Sequence, residues 1–192
     1  MYTNPLHPSI PNTYQSGFSA LGPAVIGTSD ASLHPSWKRV PQIPLSCQSS
    51  RTPHSQSPII FEMRGVKYKG ISVRDLMSRG PAEIPQMLVG GNDVYLQGGQ
   101  DRIYLRVPWP GYEHLNYFYE IKFNPRTGIT LAILAEEIGS RINQFYSAAQ
   151  YAASSKQGWR VGPRNIRLEH MILLSLWNTH ENCWQAEIAI HS

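Results

Sequence analysis

Apolar and polar residues change their pattern near Ile59. From there to the C-terminus, apolar positions recur with periods that predict regular elements; before it they do not. The clearest case is "TLAILAEEIGSRINQFYSAAQ", Thr130 to Gln150. Leu131, Leu134, Ile138, Ile142, Phe145 and Ala149 recur at steps of three and four and line one helical face. Glu136, Glu137, Ser140, Asn143 and Gln144 fall largely on the other. Thr130 is the natural N-cap, and Glu137 and Arg141 stand at i,i+4 in the favourable order.

A period of two marks the strands. In "NYFYEIKF" (116–123), Tyr117, Tyr119, Ile121 and Phe123 share an apolar face, and Phe118, Glu120 and Lys122 share a mostly charged one. "HMILLSLWN" is an apolar run of the kind found in a buried central strand. "WQAEIAIH" alternates, with Trp184, Ala186, Ile188 and Ile190 directed inward and Gln185, Glu187 and His191 outward. The residues "THENC" between these two runs predict a hairpin loop.

Shorter signals precede them. "IIFEM" (59–63) reads as a strand, and "KYKG" suggests a turn and a second short strand. "ISVRDLMSRG" reads as a short helix capped by Ser72, with Asp75 at the capping-box spacing and Gly80-Pro81 as its stop. "VYL" and "RIYLRV" are β-rich and punctuated by Gly90-Gly91 and Gly98-Gly99. The expected fold is α+β: a mainly antiparallel sheet, one long helix at about 130–150 on one face, and a C-terminal β-hairpin.

Residues 1–58 read differently. They hold nine of the fifteen prolines and eleven serines, with one acidic residue. Proline lacks a backbone donor and disfavours helix in the residue before it. So little apolar surface does not offset ordering entropy, and the segment is expected to be a disordered tail ahead of a single domain at 59–192. Its apolar islands, "FSALGPAVI" (18–26) and Trp37, read as docking motifs, as sticky stretches of a disordered segment, or as strands lying on the domain.

Charge adds little direction. Hydrophobic residues make up 41% of the chain and charged residues 16%, with a formal charge of +4 and a pI near 9.1. The tail carries Lys38, Arg39 and Arg51 against Asp30, and the domain carries 14 basic and 12 acidic residues, so each part is +2. Neither is a polybasic tail or a strongly basic domain. Cys47 and Cys183 are too few for a disulfide scaffold. The N-terminus has no charged region followed by an apolar stretch, so no signal peptide is expected. No window reads as a transmembrane helix. Tyr2 and Ala189 stand where myristoylation needs Gly and prenylation needs Cys. The expected setting is intracellular, cytoplasmic or nuclear, without membrane association.

The densest aromatic run, "RVPWPGYEHLNYFYEIKF", raises the question of a binding surface. Tyr117, Tyr119 and Phe123 have a structural role under the long helix. Trp109 and Tyr112 lie in "PWPGY", which two prolines keep out of a sheet interior. A loop displaying Trp and Tyr is a recognition site; a Trp between prolines also folds back as a lid on a core edge. Arg102, Tyr104 and Arg106 share one strand face, where two guanidiniums around an aromatic suit phosphate and a stacked base. Asp101 and Glu113 flank them, and no RNP, KH or zinc-finger spacing is present.

Catalytic and metal chemistry find less. Gly98-Gly99 is followed by Gln100-Asp101, not the Lys and hydroxyl of a phosphate loop. His180, Glu181, Cys183 and His191, with His114 or His170, offer ligand types without zinc spacing. G-x-S-x-G and H-E-x-x-H are absent. The pairs Glu113-His114 and Glu169-His170 would point to opposite faces of a strand. No catalytic residue, cofactor or metal is assigned, and the balance leans away from an enzyme.

In "ISVRDLM", "RVPWPGYEH", "GITLAILAEEIGSRINQFY" and "CWQAEIAI", the chain resembles proteins of mushroom-forming fungi with a Pro/Ser-rich N-terminal tail and one small C-terminal α+β domain of unassigned function. The matching features are Asp75-Leu76, Trp109-Pro110, and Ile129-Thr130 ahead of the long helix. The resemblance spans about Ile71 to Ile190 and implies an intracellular domain without an evident active site.

The expected function is a non-catalytic protein-interaction or regulatory module, as monomer or homodimer. Its expected surface is Arg102, Tyr104, Arg106, Trp109 and Tyr112. The alternatives are a nucleic-acid-binding domain using the Arg/aromatic strand face, and an enzyme whose site the sequence does not display.

Overall fold

A computed structural model describes residues 33–42, 57–115 and 117–191. The apolar island at 18–26 and Cys47 lie outside the described residues. The strands are β1 (Trp37–Arg39), β2 (Ile59–Ile60), β3 (Ile71–Ser72), β4 (Val94–Tyr95), β5 (Arg102–Arg106), β6 (Phe118–Lys122), β7 (Ile129–Thr130), β8 (Met171–His180) and β9 (Cys183–His191). The helices are α1 (Val73–Ser78), α2 (Ile84–Met87) and α3 (Leu131–Ala149).

The main sheet runs β2-β8-β9-β5-β6, with β3 also on β8 and β1 also on β9. Its pairings are antiparallel except β5 with β9, which is parallel. The second, two-stranded ribbon is β4 with β7. The α+β architecture with its long helix and C-terminal hairpin is the one the periodicities predict.

Helix α3 buries Leu131, Leu134, Ile138, Ile142, Phe145 and Ala149, the six expected positions, together with Ala132, Ala135 and Gly139. This face meets the inward residues of the sheet, including Ile103, Leu105, Ile121, Leu173, Trp184, Ala186 and Ile188, in one core. Gly139 allows α1 to approach: a Cβ there would stand 3.0 Å from that of Leu76. The Thr130 hydroxyl accepts a hydrogen bond from the Ile133 amide at 3.4 Å. Thr130→Ala is therefore expected to cost about 1 kcal/mol, read from urea unfolding.

The hairpin differs in detail from its expectation. The loop "THENC" is mostly strand, because β8 continues to His180 and β9 starts at Cys183, leaving Glu181 and Asn182 as the turn. Glu181 takes φ 42 to close it. Near the N-terminus of the domain, "IIFEM" gives only the two residues of β2 plus isolated bridges at Glu62 and Met63. Ser72 sits at the N-cap of α1 but makes no side-chain capping bond. The segment also forms α2, absent from the sequence reading, with Pro85 in its first turn.

The largest correction concerns the second face of the sheet. Gln185 and Glu187, expected to face solvent, are each 1% exposed. Residues 33–42, which the sequence places in the disordered tail, cover this region. Trp37, Lys38 and Arg39 pair with His191, Ile190 and Ala189. Leu33 and Trp37 pack on Ile172, Leu174 and Ala189. Val40 is 1% exposed and belongs to the main core, and its amide donates to the Ile188 carbonyl at 2.9 Å. Arg39 reaches Glu187 at 3.0 Å, the Ser175 hydroxyl donates to the same carboxylate, and Trp177 Nε1 donates to Ser175 at 2.7 Å. For Trp37, the structure selects the strand lying on the domain over the docking motif.

Candidate interaction surface

The five expected surface residues divide into two groups. Trp109 and Tyr112 are 2% and 3% exposed and belong to the core. Trp109 packs against Phe145 at 5.5 Å between ring centroids and meets Trp159 edge-on. Its Nε1 donates to the Trp159 carbonyl at 2.8 Å. The Tyr112 hydroxyl accepts from the Val161 amide at 3.0 Å, and its ring meets Phe145 edge-on. These two residues are therefore corrected: they form a lid on the core edge and are not displayed for recognition. The physical reason is that the two rings cover Phe145 while the indole and the phenol satisfy the Trp159 carbonyl and the Val161 amide.

Arg102, Tyr104 and Arg106 do share the face opposite α3, since Ile103 and Leu105 between them are buried. Register joins this face to its neighbours. Arg106 stands beside Phe118 on one side and Gln185 on the other, and Gln185 stands beside Trp177. Tyr104 lies between Glu120 and Cys183. The open part of the face is aromatic: Tyr104 is 39% and Phe118 46% exposed. The Arg106 guanidinium lies 5.6 Å from the Phe118 ring centre, and its Nη1 is buried without a hydrogen-bond partner.

The charges on this face are largely compensated. Arg102 holds Glu120 at 2.8 Å and Asp101 at 2.7 Å, and Lys122 holds Glu120 at 3.2 Å. The side-chain hydrogen bond from Arg102 keeps the Asp101 carboxyl below its usual range, and the two carboxylates push the guanidinium's own pKa up. Burial alone would raise Glu120, but hydrogen bonds from Lys122 and Arg102 outweigh it and hold it low. The Arg102 guanidinium is thus already held by two carboxylates, whereas among the described residues Arg106 forms no ion pair.

Strand β6 is the sheet's edge. The Phe123 amide donates to the Asp101 carbonyl, so by alternation residues 119 and 121 also turn their backbone groups toward β5. Phe118, Glu120 and Lys122 then direct theirs away from the sheet. On the opposite face, Tyr117, Tyr119 and Phe123 pack against the core, as their period predicts. Burial, assisted by the neighbouring Tyr117, pushes the Tyr119 hydroxyl up to about 12.

The recess between Arg106, Pro108, Trp109, Tyr112, Glu113 and Tyr117 holds only about 30 Å³, room for a couple of waters. Glu113 within it is held low by the Gly111 amide, which donates to it at 2.9 Å. His180 pairs across the hairpin with Cys183 and lies 3.6 Å from Glu181. Among the described residues no three His, Cys, Asp or Glu side chains gather where a metal could bind. No described helix is long and apolar enough to cross a membrane. No family model, curated protein or solved structure matches the chain.

Phe118 belongs to this surface although the sequence reading set it aside with the charged residues of its strand face. Its signal was present: a large apolar residue at an otherwise polar position. A second feature was legible and unused. Residues 156–167 carry Lys156, Arg160, Arg164 and Arg167 with no acidic residue, which equals the +4 of the entire chain.

Proposed function

We propose that the chain is a non-catalytic interaction module that binds an extended segment of a protein partner along β6. The observation that carries this reading is an exposed edge strand flanked on one face by Tyr104, Phe118 and Arg106. An incoming strand would pair with the outward backbone groups of Phe118, Glu120 and Lys122. Its side chains on the same face would cover Phe118 and Tyr104. The sheet already accepts a three-residue strand in this manner, since β1 pairs with β9. The compensated charges of Arg102, Lys122 and Glu120 favour a protein over a phosphate backbone.

The test is affinity capture from nuclease-treated native extract with the full chain. Tyr104→Ala with Phe118→Ala removes the aromatic cover. Lys122→Pro removes one outward amide without touching the ladder to β5. A protein captured by the unaltered chain is expected to be lost with both variants while their circular dichroism is unchanged. Capture unaffected by either variant rejects the surface.

A further inference from the structure

We propose a second binding site, for single-stranded nucleic acid, on the connection between α3 and β8. Its residues are Tyr151, Lys156, Arg160, Arg164 and Arg167. It is separate from the β6 edge and rests on different observations.

The first observation is the placement of charge. The four cations of residues 156–167 are all exposed, and the other 180 residues balance at 13 basic and 13 acidic. Within the domain this loop carries +4 while the remaining residues of 59–192 carry 10 basic and 12 acidic side chains. Among the described residues Lys156, Arg160 and Arg164 form no ion pair; only Arg167 does, with Glu169 at 3.2 Å. A helix C-terminus attracts cations, but the last turn of α3 contains no basic residue, so the cluster does not serve the helix dipole.

The second observation is that the loop is held in shape. Trp109 and Tyr112 fasten its backbone at the Trp159 carbonyl and the Val161 amide. The Ser155 amide donates to the Gly111 carbonyl at 3.0 Å. Within the loop, the Ile166 amide donates to the Arg160 carbonyl at 3.1 Å and the Gly162 amide to the Ile166 carbonyl at 2.9 Å. These bonds bring Arg160 and Arg167 together at the base, with Arg164 near the tip. Lys38 of β1 adds a cation at 4.7 Å from the Trp159 ring centre. Exposed guanidiniums on a fixed backbone suit phosphate, which they grip through two hydrogen bonds.

The third observation selects single strands. Tyr151, immediately after α3, is 86% exposed, more than any other large apolar side chain described. It stands at the start of the same connection, five residues before Lys156. An exposed aromatic beside a row of cations can stack an unpaired base while the cations follow the backbone. A duplex keeps its bases stacked internally and leaves such a ring unused.

The test is fluorescence anisotropy on the full chain with labelled oligo(dT) and oligo(U) of about twelve nucleotides. Raising salt from about 50 to 200 mM is expected to weaken binding roughly 20- to 50-fold, the slope for about three to four neutralised phosphates on a single strand. Arg160→Glu with Arg164→Glu is expected to abolish binding. Tyr151→Ala, at a position too exposed to threaten the fold, is expected to weaken it at least about fivefold. Tyr104→Ala with Phe118→Ala is expected to leave it unchanged, which separates this site from the β6 edge. No binding at the lower salt overturns the proposal. So do binding that ignores the loop variants, equal binding of duplex with no effect of Tyr151→Ala, and equal competition by polyglutamate.

Discussion

A chain shortened to begin at Ile59 is expected to lose about 5 kcal/mol or more of unfolding free energy relative to the full chain. The sequence places a domain boundary near residue 58, yet three contributions lie before it. Val40 is buried in the main core, worth about 1.5–3 kcal/mol. Trp37 covers Ile172, Leu174 and Ala189, which would otherwise face water. Arg39 neutralises Glu187, whose side chain is 1% exposed. A loss of this size is a large part of the stability of an ordinary domain, so the shorter chain should unfold at markedly lower urea or aggregate. Equal urea midpoints for the two chains would refute the claim.

The Arg39 contribution can be isolated. Arg39→Met keeps much of the side-chain volume and removes the cation facing the buried Glu187 carboxylate, which retains the Ser175 hydroxyl as a donor. Removing one partner of a buried pair costs about 3–5 kcal/mol, and the 23% exposure of Arg39 places this case toward the lower figure. Adding Glu187→Gln removes the buried charge and is expected to restore part of the loss. A double variant no more stable than Arg39→Met would assign the cost to packing instead.

The second large effect is Trp109→Ala, expected to destabilise the domain by about 3–5 kcal/mol. The substitution empties a space against Phe145 and leaves the Trp159 carbonyl without its donor. For a chain of this length the melting temperature should fall by roughly 10 °C. Tyr112→Phe is a finer probe. It retains the ring and removes the acceptor for the buried Val161 amide, at a cost of about 1–3 kcal/mol. Both variants also release the 155–161 loop, so they should weaken oligonucleotide binding at the neighbouring cations without removing a charge. Unchanged unfolding of Trp109→Ala would return that residue to the surface.

The elements legible in the sequence are those with long periods. Helix α3 shows its six apolar positions and its Thr130 cap because one face packs and the other is solvated along its entire length. The alternation of β6 and β9 gave the inward residues correctly for the same reason. Of the outward residues of β9, His191 is exposed, but Gln185 and Glu187 are not, because alternation distinguishes two faces without stating that one faces water. Gln185 and Glu187 are polar and buried, and only the strand laid over them explains both properties. The candidate site was half legible. Arg102, Tyr104 and Arg106 share the face their spacing implies, while Trp109 and Tyr112 have no period from which burial could be read.

By itself, then, the sequence determined the helix, the strand faces and the class of fold, and it holds the run of four cations at 156–167. These follow from local periodicity and from counting. Only the tertiary structure decided which surfaces are covered. It brought residues 33–42 onto β9 across more than a hundred intervening residues, turned Trp109 and Tyr112 onto Phe145, and left β6 at the edge of the sheet. Cover is a relation between residues distant in the chain, and its free energy arises only when the pieces meet.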